Sequence, residues 1–256
     1  MNLIEIKSPA KLNLHLQVLN RRLDGFHNIS SLLTLIDITD GMSFKRTDKY
    51  IDLVESTPIK DNIVQKAAML LKENYGVSKG VTINLSKSIP DQKGLGGGSS
   101  NAASTLLCLN KLWDLDLTQL ELQSLALQLG SDVPFFIYGK TAWAEGRGEL
   151  LSNFQYKERF FILIFPDEKI NTKEAFNSFK IKDDVQLNKE NFHDDLSFNS
   201  FEKWARNKYS NINSLFRKFE SIGKPRLSGT GSTIFIEFDS EYQARLVLKR
   251  NPELVF

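Results

Sequence analysis

Residues 89–101 read Ile-Pro-Asp-Gln-Lys-Gly-Leu-Gly-Gly-Gly-Ser-Ser-Asn, and no other stretch constrains this chain as tightly. Gly94, Gly96, Gly97 and Gly98 are clustered between an alternating run (Val81, Ile83, Leu85), which predicts a strand, and an apolar run that predicts a helix over 102–113. Glycine allows positive φ and lets backbone N–H groups come close to a ligand, and a helix start leaves further donors unpaired. Strand, glycine loop and helix in that order make a cradle for an anion. Ser99, Ser100 and Asn101 stand where a helix needs caps and a phosphate needs donors. A Walker A loop does not fit, because no lysine follows Gly98, and the dinucleotide fingerprint would put a glycine where Asn101 stands. A flexible connection into a capped helix uses the same residue types and is the alternative reading.

Ahead of the loop, Leu12, Leu14, Leu16 and Val18 alternate with Lys11, Asn13, His15 and Gln17, which predicts a strand with a buried face and a polar one. The polar face is either a solvated surface or a lined site. Arg21-Arg22-Leu23-Asp24-Gly25 carries a turn signal before Phe26 and His27, and strand patterns follow over 31–38, to a break near Asp40-Gly41, and over 50–54. Asn62 precedes a helical spacing that Gly76 closes, and another helix over 119–129 stops at Gly130. Asp132 lies just beyond that stop, two residues before Pro134, where a carboxylate caps a new helical turn or does chemistry. A closing strand and turn over 141–150, a polar boundary over 153–158 and a buried-type strand over 159–165 come next. Thr172 caps a short helix to 179, residues 180–195 form a polar, mobile loop, and helices are expected over 198–208, 212–222 and 241–250. A second glycine-rich turn, Arg226-Leu227-Ser228-Gly229-Thr230-Gly231, enters a strand over 232–238.

Composition narrows the function classes. With 256 residues, 41% apolar and 25% charged, the chain can bury a sizeable core in one large domain or two modest ones. A net charge of +2 with Lys and Arg scattered among acids is too mild for a nucleic-acid partner and leaves small acidic substrates open. The single Cys108, among leucines, is an inert buried thiol, consistent with a reducing cytoplasm. No apolar leader or spanning run is present, so neither export nor a membrane is expected, and the histidines lack metal-ligand spacing.

Together, Pro9-Ala10-Lys11-Leu12-Asn13-Leu14, the segment from Pro90 through Ala103, and Leu227-Ser228-Gly229-Thr230-Gly231 resemble the three motifs of the GHMP kinase superfamily. Arg21 to His27 and Gly130-Ser131-Asp132-Val133-Pro134-Phe135 resemble its branch acting on a cytidine diphosphate-linked methylerythritol. The likeness runs over nearly the whole chain in the right order. It implies an α+β, two-domain GHMP kinase fold. Residues 1–155 would be ribosomal protein S5 domain 2-like and 156–256 ferredoxin-like, with substrates between them. It also implies ATP as co-substrate, an expected Mg2+ whose ligands are unknown, and a monomer or weak homodimer. The reaction implied is phosphorylation of the substrate's 2-hydroxyl in the non-mevalonate isoprenoid pathway.

By the same resemblance Lys11 and Asp132 fall on the catalytic pair. Asn62 and Lys87 fall where the nucleotide is held, with Pro90, Asp91, Gln92, Lys93, Gly94, Leu95, Gly96, Gly97, Gly98, Ser99 and Ser100 on its phosphates. Phe26, His27 and Phe176 fall where cytosine is sandwiched and read, and Asn13 and Thr172 near the sugar-alcohol end. The sequence departs from the pattern at Gln92, where a glycine is usual, and at Phe26, where a tyrosine is. Asp194-Asp195-Leu196-Ser197 matches an Asn-Asp-Leu-Glu element only partly. Kinases of homoserine or mevalonate are the competing readings within the superfamily, and a nucleotide-binding module without catalysis the one outside it.

Overall fold

The structure, a computed structural model, describes residues 2–55, 61–179, 186–251 and 254. Its first sheet grows from a long antiparallel hairpin, β1 (Leu3–Arg21) against β2 (His27–Thr47), joined through the Asp24-Gly25 turn. Both strands far exceed the alternating runs that announce them, and Asp40-Gly41, expected as a break, lies inside β2. Gly41 pairs with Lys7 on one side and Ser86 on the other, so the ladder continues across it. β3 (Ile51–Glu55), β4 (Gly80–Ser86), β5 (Ala142–Glu145) and β6 (Leu150–Asn153) complete the order β3-β4-β2-β5-β6, with β1 along the opposite edge of β2. Every pair except the parallel β3 and β4 is antiparallel.

Four helices cover this sheet: α1 (Ile63–Asn74), α2 (Gly97–Leu112), α3 (Gln119–Leu129) and α4 (Val133–Tyr138). Their apolar faces meet Phe44, Ile83 and Ala142 in one buried cluster. Asn62 caps α1 on the Val64 N–H, and Thr118 with Glu121 forms a capping box on α3. Cys108 is buried in the same cluster and its thiol is pushed up to about 12 by desolvation, as an inert thiol requires. α2 starts at Gly97, not at 102. The glycines themselves form its first turn, with Gly96 in the left-handed conformation as N-cap and no side chain capping it.

The second sheet is β7 (Phe160–Ile164), β9 (Ile234–Phe238) and β8 (Arg226–Leu227) in that spatial order, all antiparallel. α5 (Thr172–Ser178), α6 (Glu202–Lys208), α7 (Ser210–Phe219) and α8 (Glu241–Arg250) pack against it. This is the β-α-β-β-α order of a ferredoxin-like unit without, among the described residues, its last strand. The cap of α5 is Asn171, which accepts from the Glu174 N–H. Thr172, expected in that role, is already helical and bonds Thr230 instead.

β1 joins the two halves. Leu12 and Leu14 pack with Leu163 and Phe235, while Leu16 and Val18 enter the core of α5 to α7. The face opposite the leucines is not solvated either, since every residue from 10 to 18 is buried. The expected mobile loop at 180–195 falls partly outside the described residues. Its remainder is anchored, because Leu187 and Phe192 are buried, Ser30 Oγ donates to the Leu187 carbonyl at 2.6 Å and the Leu187 N–H donates to Gln17 at 2.9 Å. The helix expected from 198 starts at Glu202, because the Leu16 and Ser200 N–H groups are bonded to the carbonyls of Phe198 and Leu16, which holds 198–200 extended beside β1.

Gly94 sets how closely the glycine loop meets the turn before β9. It has φ +74, and a Cβ there would stand 2.4 Å from the Ser228 carbonyl oxygen and 2.9 Å from that of Gly231. Gly94→Ala combines backbone strain with a backbone clash, so chemical denaturation should show a loss of about 2–4 kcal/mol. An unchanged midpoint would mean that the two turns part at no cost.

Candidate active site

The three motifs meet at the Lys11 side chain. The Lys11 N–H donates to the Leu95 carbonyl at 3.0 Å, which fastens the glycine loop to β1. Ser228 Oγ donates to the Gly94 carbonyl at 3.1 Å, which fastens the loop to the second glycine turn. A Cβ at Gly229 would lie 3.4 Å from Lys11 Nζ, and one at Gly96 would lie 3.1 Å from Lys11 Cγ and 2.9 Å from the Phe136 ring. Glycine at both positions leaves room for the lysine between the loops.

Lys11 Nζ stands 4.0 Å from Asp132 Oδ2, with the lysine side chain 4% and the aspartate side chain 45% exposed. It also donates to Asn13 Oδ1, and Asn13 Nδ2 donates to Ser31 Oγ at 3.0 Å. Burial holds the Lys11 ammonium below its ordinary value, and the charge of Asp132 opposes that shift. Asp132 begins α4 in helical conformation but makes no side-chain cap bond. The capping reading is therefore set aside. Its carboxylate is left facing solvent on one side and the ammonium on the other.

The α2 N-terminus opens beside this pair. No side chain caps it, and the first bond back into the loop is Ser100 N–H to the Gly96 carbonyl at 2.9 Å, so the earlier N–H groups face outward as an anion site requires. Ser99, half-buried, makes no side-chain hydrogen bond among the described residues. Gln92 is exposed with φ +55, the left-handed region in which glycine is at ease. Its amide reaches Asp91 at 3.4 Å.

Several loop side chains are turned away from an anion. The Ser100 hydroxyl points inward to Ser8 Oγ at 2.8 Å, because it is fully buried under the loop. Lys93 sends its ammonium to the carbonyls of Pro166 and Glu168, and burial holds it below its ordinary value while Asp167 and Glu168 raise it. It clamps the loop to the second half. Lys87 is ion-paired with Asp40 and bonds Asn101 Oδ1 at 3.1 Å, although its Nζ lies only 3.3 Å from where a Gly97 Cβ would be. Asn62 is occupied by the α1 cap and by Glu55 Oε2 at 2.6 Å.

Asp40 is the residue that sequence reasoning missed here. Fully buried, it accepts the Ser88 and Ile89 N–H groups at 2.7 and 2.8 Å and the Asn101 amide at 2.9 Å. In the sequence it reads, with Gly41, as a break after a strand-forming run.

The aromatic residues form two groups. The His27 ring is 5.2 Å from that of Phe176, which packs edge-on against Phe201 at 4.7 Å. Burial and then the charge of Arg21 hold the His27 imidazole below its ordinary value. Phe26 is 47% exposed and carries the Arg147 guanidinium 4.5 Å from its ring centre. Phe26 and Phe176 thus have separate ring partners and do not stack on each other. Phe26, Gly130, Ser131 and Arg147 line a cavity of about 620 Å³ against the end of α3. Asn13 sits beneath Lys11, and Thr172 Oγ1 is 3.2 Å from Thr230 Oγ1 in the second glycine turn.

The chain's likeness to known proteins agrees with this geometry. Residues 62–140 match the GHMP kinases N terminal domain. The 4-diphosphocytidyl-2-C-methyl-D-erythritol kinase of Paraburkholderia xenovorans is 39% identical over 96% of this chain and 89% of its own length, and that of Acinetobacter baylyi 38% over 98% and 92%. A crystal structure of a 4-(cytidine 5'-diphospho)-2C-methyl-D-erythritol kinase superposes with TM-score 0.84 at 30% identity, covering 96% of this chain and 94% of that one. The Methanococcus jannaschii mevalonate kinase shares the fold, with TM-score 0.70 at 17% identity, 98% of this chain and 96% of its own being covered. A buried lysine, an uncapped aspartate and a glycine-started helix, set in a chain with these relatives, place the protein in the 4-diphosphocytidyl-2-C-methyl-D-erythritol kinase family of GHMP kinases.

Proposed function

We propose that this chain transfers the γ-phosphoryl group of ATP to the 2-hydroxyl of 4-diphosphocytidyl-2-C-methyl-D-erythritol, in the non-mevalonate route to isoprenoid precursors. The observation that carries the reading is the approach of Lys11 Nζ to within 4.0 Å of Asp132 Oδ2, beside the uncapped start of α2. Phosphoryl transfer passes through a loose transition state, so positioning and charge stabilisation supply most of the catalysis. The substrate oxygen attacks the γ-phosphorus, the bond to the β-bridging oxygen breaks, and ADP leaves. Asp132 orients the hydroxyl and takes its proton late, while Lys11 stabilises charge on the reacting oxygens.

The outward N–H groups of the residues around Gly97, Gly98 and Ser99 hold the ATP phosphates. Pro90, Asp91, Gln92, Gly94, Leu95 and Gly96 shape the loop that carries them. Asn62, Lys87, Lys93 and Ser100 contribute by holding that loop and the start of α1, through the bonds they already make. No group of three or more His, Cys, Asp or Glu among the described residues could hold a metal ion. Magnesium therefore fits this site as an ion carried by the nucleotide phosphates and water, where it neutralises phosphate charge.

Phe26, His27 and Phe176 take the cytosine, with His27 reading its edge, and Asn13 and Thr172 lie toward the methylerythritol end. Homoserine and mevalonate offer no base for these rings, which separates this reading from the other alcohol kinases of the fold. We also propose a division at residues 155 and 156 into two domains, and a cytoplasmic protein, monomeric or weakly dimeric, with no nucleic-acid or membrane partner. The mild net charge supports the lack of a nucleic-acid partner, and among the described residues no helix is long and apolar enough to cross a membrane.

Incubation with ATP, magnesium and each candidate alcohol tests the substrate, and turnover of homoserine or mevalonate alone would reject the reading. Asp132→Asn should lower kcat by about 10²- to 10³-fold with ATP affinity nearly unchanged, because the loop is untouched. An equal loss of ATP binding would make Asp132 a structural residue. Phe176→Ala should weaken cytidine-substrate binding by about tenfold or more, as loss of a stacking surface does, without changing the Kd for ATP. The reverse pattern would move the base away from α5.

A further inference from the structure

Arg147 lies in the Gly146-Arg147-Gly148 turn between β5 and β6, in the segment that the sequence predicts as a closing strand and turn. The turn is built. Gly146 and Gly148 have positive φ, the Arg147 N–H donates to the Glu149 carboxylate, and the Ile29 N–H donates to the Gly146 carbonyl at 2.8 Å, which ties the turn to β2. Half-buried, the guanidinium lies 4.5 Å from the centre of the Phe26 ring and forms no ion pair among the described residues. Asp24, in the Phe26 turn, feels the Arg147 charge but is bonded to Arg22 at 3.0 Å and to the Phe26 N–H at 3.1 Å.

Its position along the cavity matters most. Phe26, Arg147 and Ser131 line the same wall, and a Cβ at Gly148 would stand 3.5 Å from the Ser131 carbonyl oxygen, one residue before Asp132. A ligand whose base stacks near Phe26 and whose hydroxyl reaches Asp132 would bridge the end of this cavity that Arg147 and Ser131 line. In the substrate proposed above those linking atoms are a diphosphate, the most charged part of the molecule.

We propose that Arg147 is a specificity-determining residue that binds the diphosphate of the cytidine substrate, holding it between the base at Phe26 and the reacting end at Asp132. This inference rests on the proposed substrate. A guanidinium presents paired N–H donors matched to phosphate oxygens, and its stacking on Phe26 limits the freedom it must give up on binding. It leaves the other face of the Phe26 ring for the base. Sequence reasoning placed all phosphate recognition on the α2 loop, which serves ATP; the second anionic group of the reaction needs a cation of its own.

The test titrates cytidine, CMP and CDP calorimetrically into the full chain as wild type, Arg147→Gln and Arg147→Lys, with thermal melts of each to establish folding. Arg147→Gln should weaken CDP by about tenfold to a hundredfold, the range for a lost charged hydrogen-bond pair, and leave cytidine within about twofold. Arg147→Lys should recover part of the CDP affinity, since it restores charge without the fork. In turnover, the KM for the cytidine substrate should rise far more than kcat falls, with the KM for ATP unchanged. Unchanged CDP affinity in Arg147→Gln, or an equal loss for cytidine and CDP, overturns the proposal and leaves the kinase reading standing. A wild-type protein that binds no CDP overturns the substrate reading itself, and this inference with it.

Discussion

A lysine buried to 4% of its side-chain surface costs free energy unless charge and hydrogen bonds surround it, and the first half of this molecule is arranged to supply both. Asp132 provides the charge, Asn13 the acceptor, and the Leu95 carbonyl takes the backbone donor of the same residue. These groups come from β1, the glycine loop and the start of α4, so the ammonium is held only when all are in register. In the proposed reaction, a phosphoryl group arriving with more negative charge would meet a cation that the fold already holds in place. Pre-arranged charge in a site shielded from water is what this chemistry needs.

The same seat depends on contact between the two sheets. Ser228 Oγ bonds the Gly94 carbonyl, the Thr233 N–H bonds the Lys93 carbonyl at 3.1 Å, and Lys93 returns its ammonium to the carbonyls of Pro166 and Glu168. Arg226 reaches across to the Leu14 carbonyl at 3.1 Å. The glycine loop is therefore braced from outside its own strand and helix. Gly94 and Gly229 are small because backbone passes beside them, and Gly96 because Lys11 and Phe136 do. By contrast a Cβ at Gly98 would make only ordinary contact, 3.8 Å from Ile63, so that glycine serves the access of a ligand to backbone more than the packing.

Polar residues beneath the loop have a different duty from those above it. Asp40, Asn101, Ser8, Ser100 and Ser104 form a buried network that fixes the start of α2 from below and holds Lys87 in place. Their hydrogen bonds satisfy one another, which leaves the uncapped N–H groups of the helix start for a ligand. His15 belongs to neither set. Shut among Trp143, Phe192 and Phe198, with its pKa lowered to about 4 mainly by burial, it is a neutral packing residue at pH 7.

What the sequence determined alone is local. Period-two alternation placed β1 and β4, glycine punctuation placed the ends of α1 and α3, and glycine clustering marked the candidate anion loop, because these signals arise from dihedral limits and side-chain direction within a few residues. Motif resemblance supplied the order of the fold and named Lys11 and Asp132 as partners. Only the tertiary structure decided which side chains face the cavity. Ser100 and Lys93 sit in the loop yet point away from it, Asp40 sits in a strand yet holds that loop, and Arg147 sits in a surface turn yet lies on Phe26. Sequence spacing fixes which face of an element a residue occupies. Whether that face meets solvent, a carbonyl or a ring is set by contacts between segments distant in the chain, and those exist only once both sheets have closed around β1.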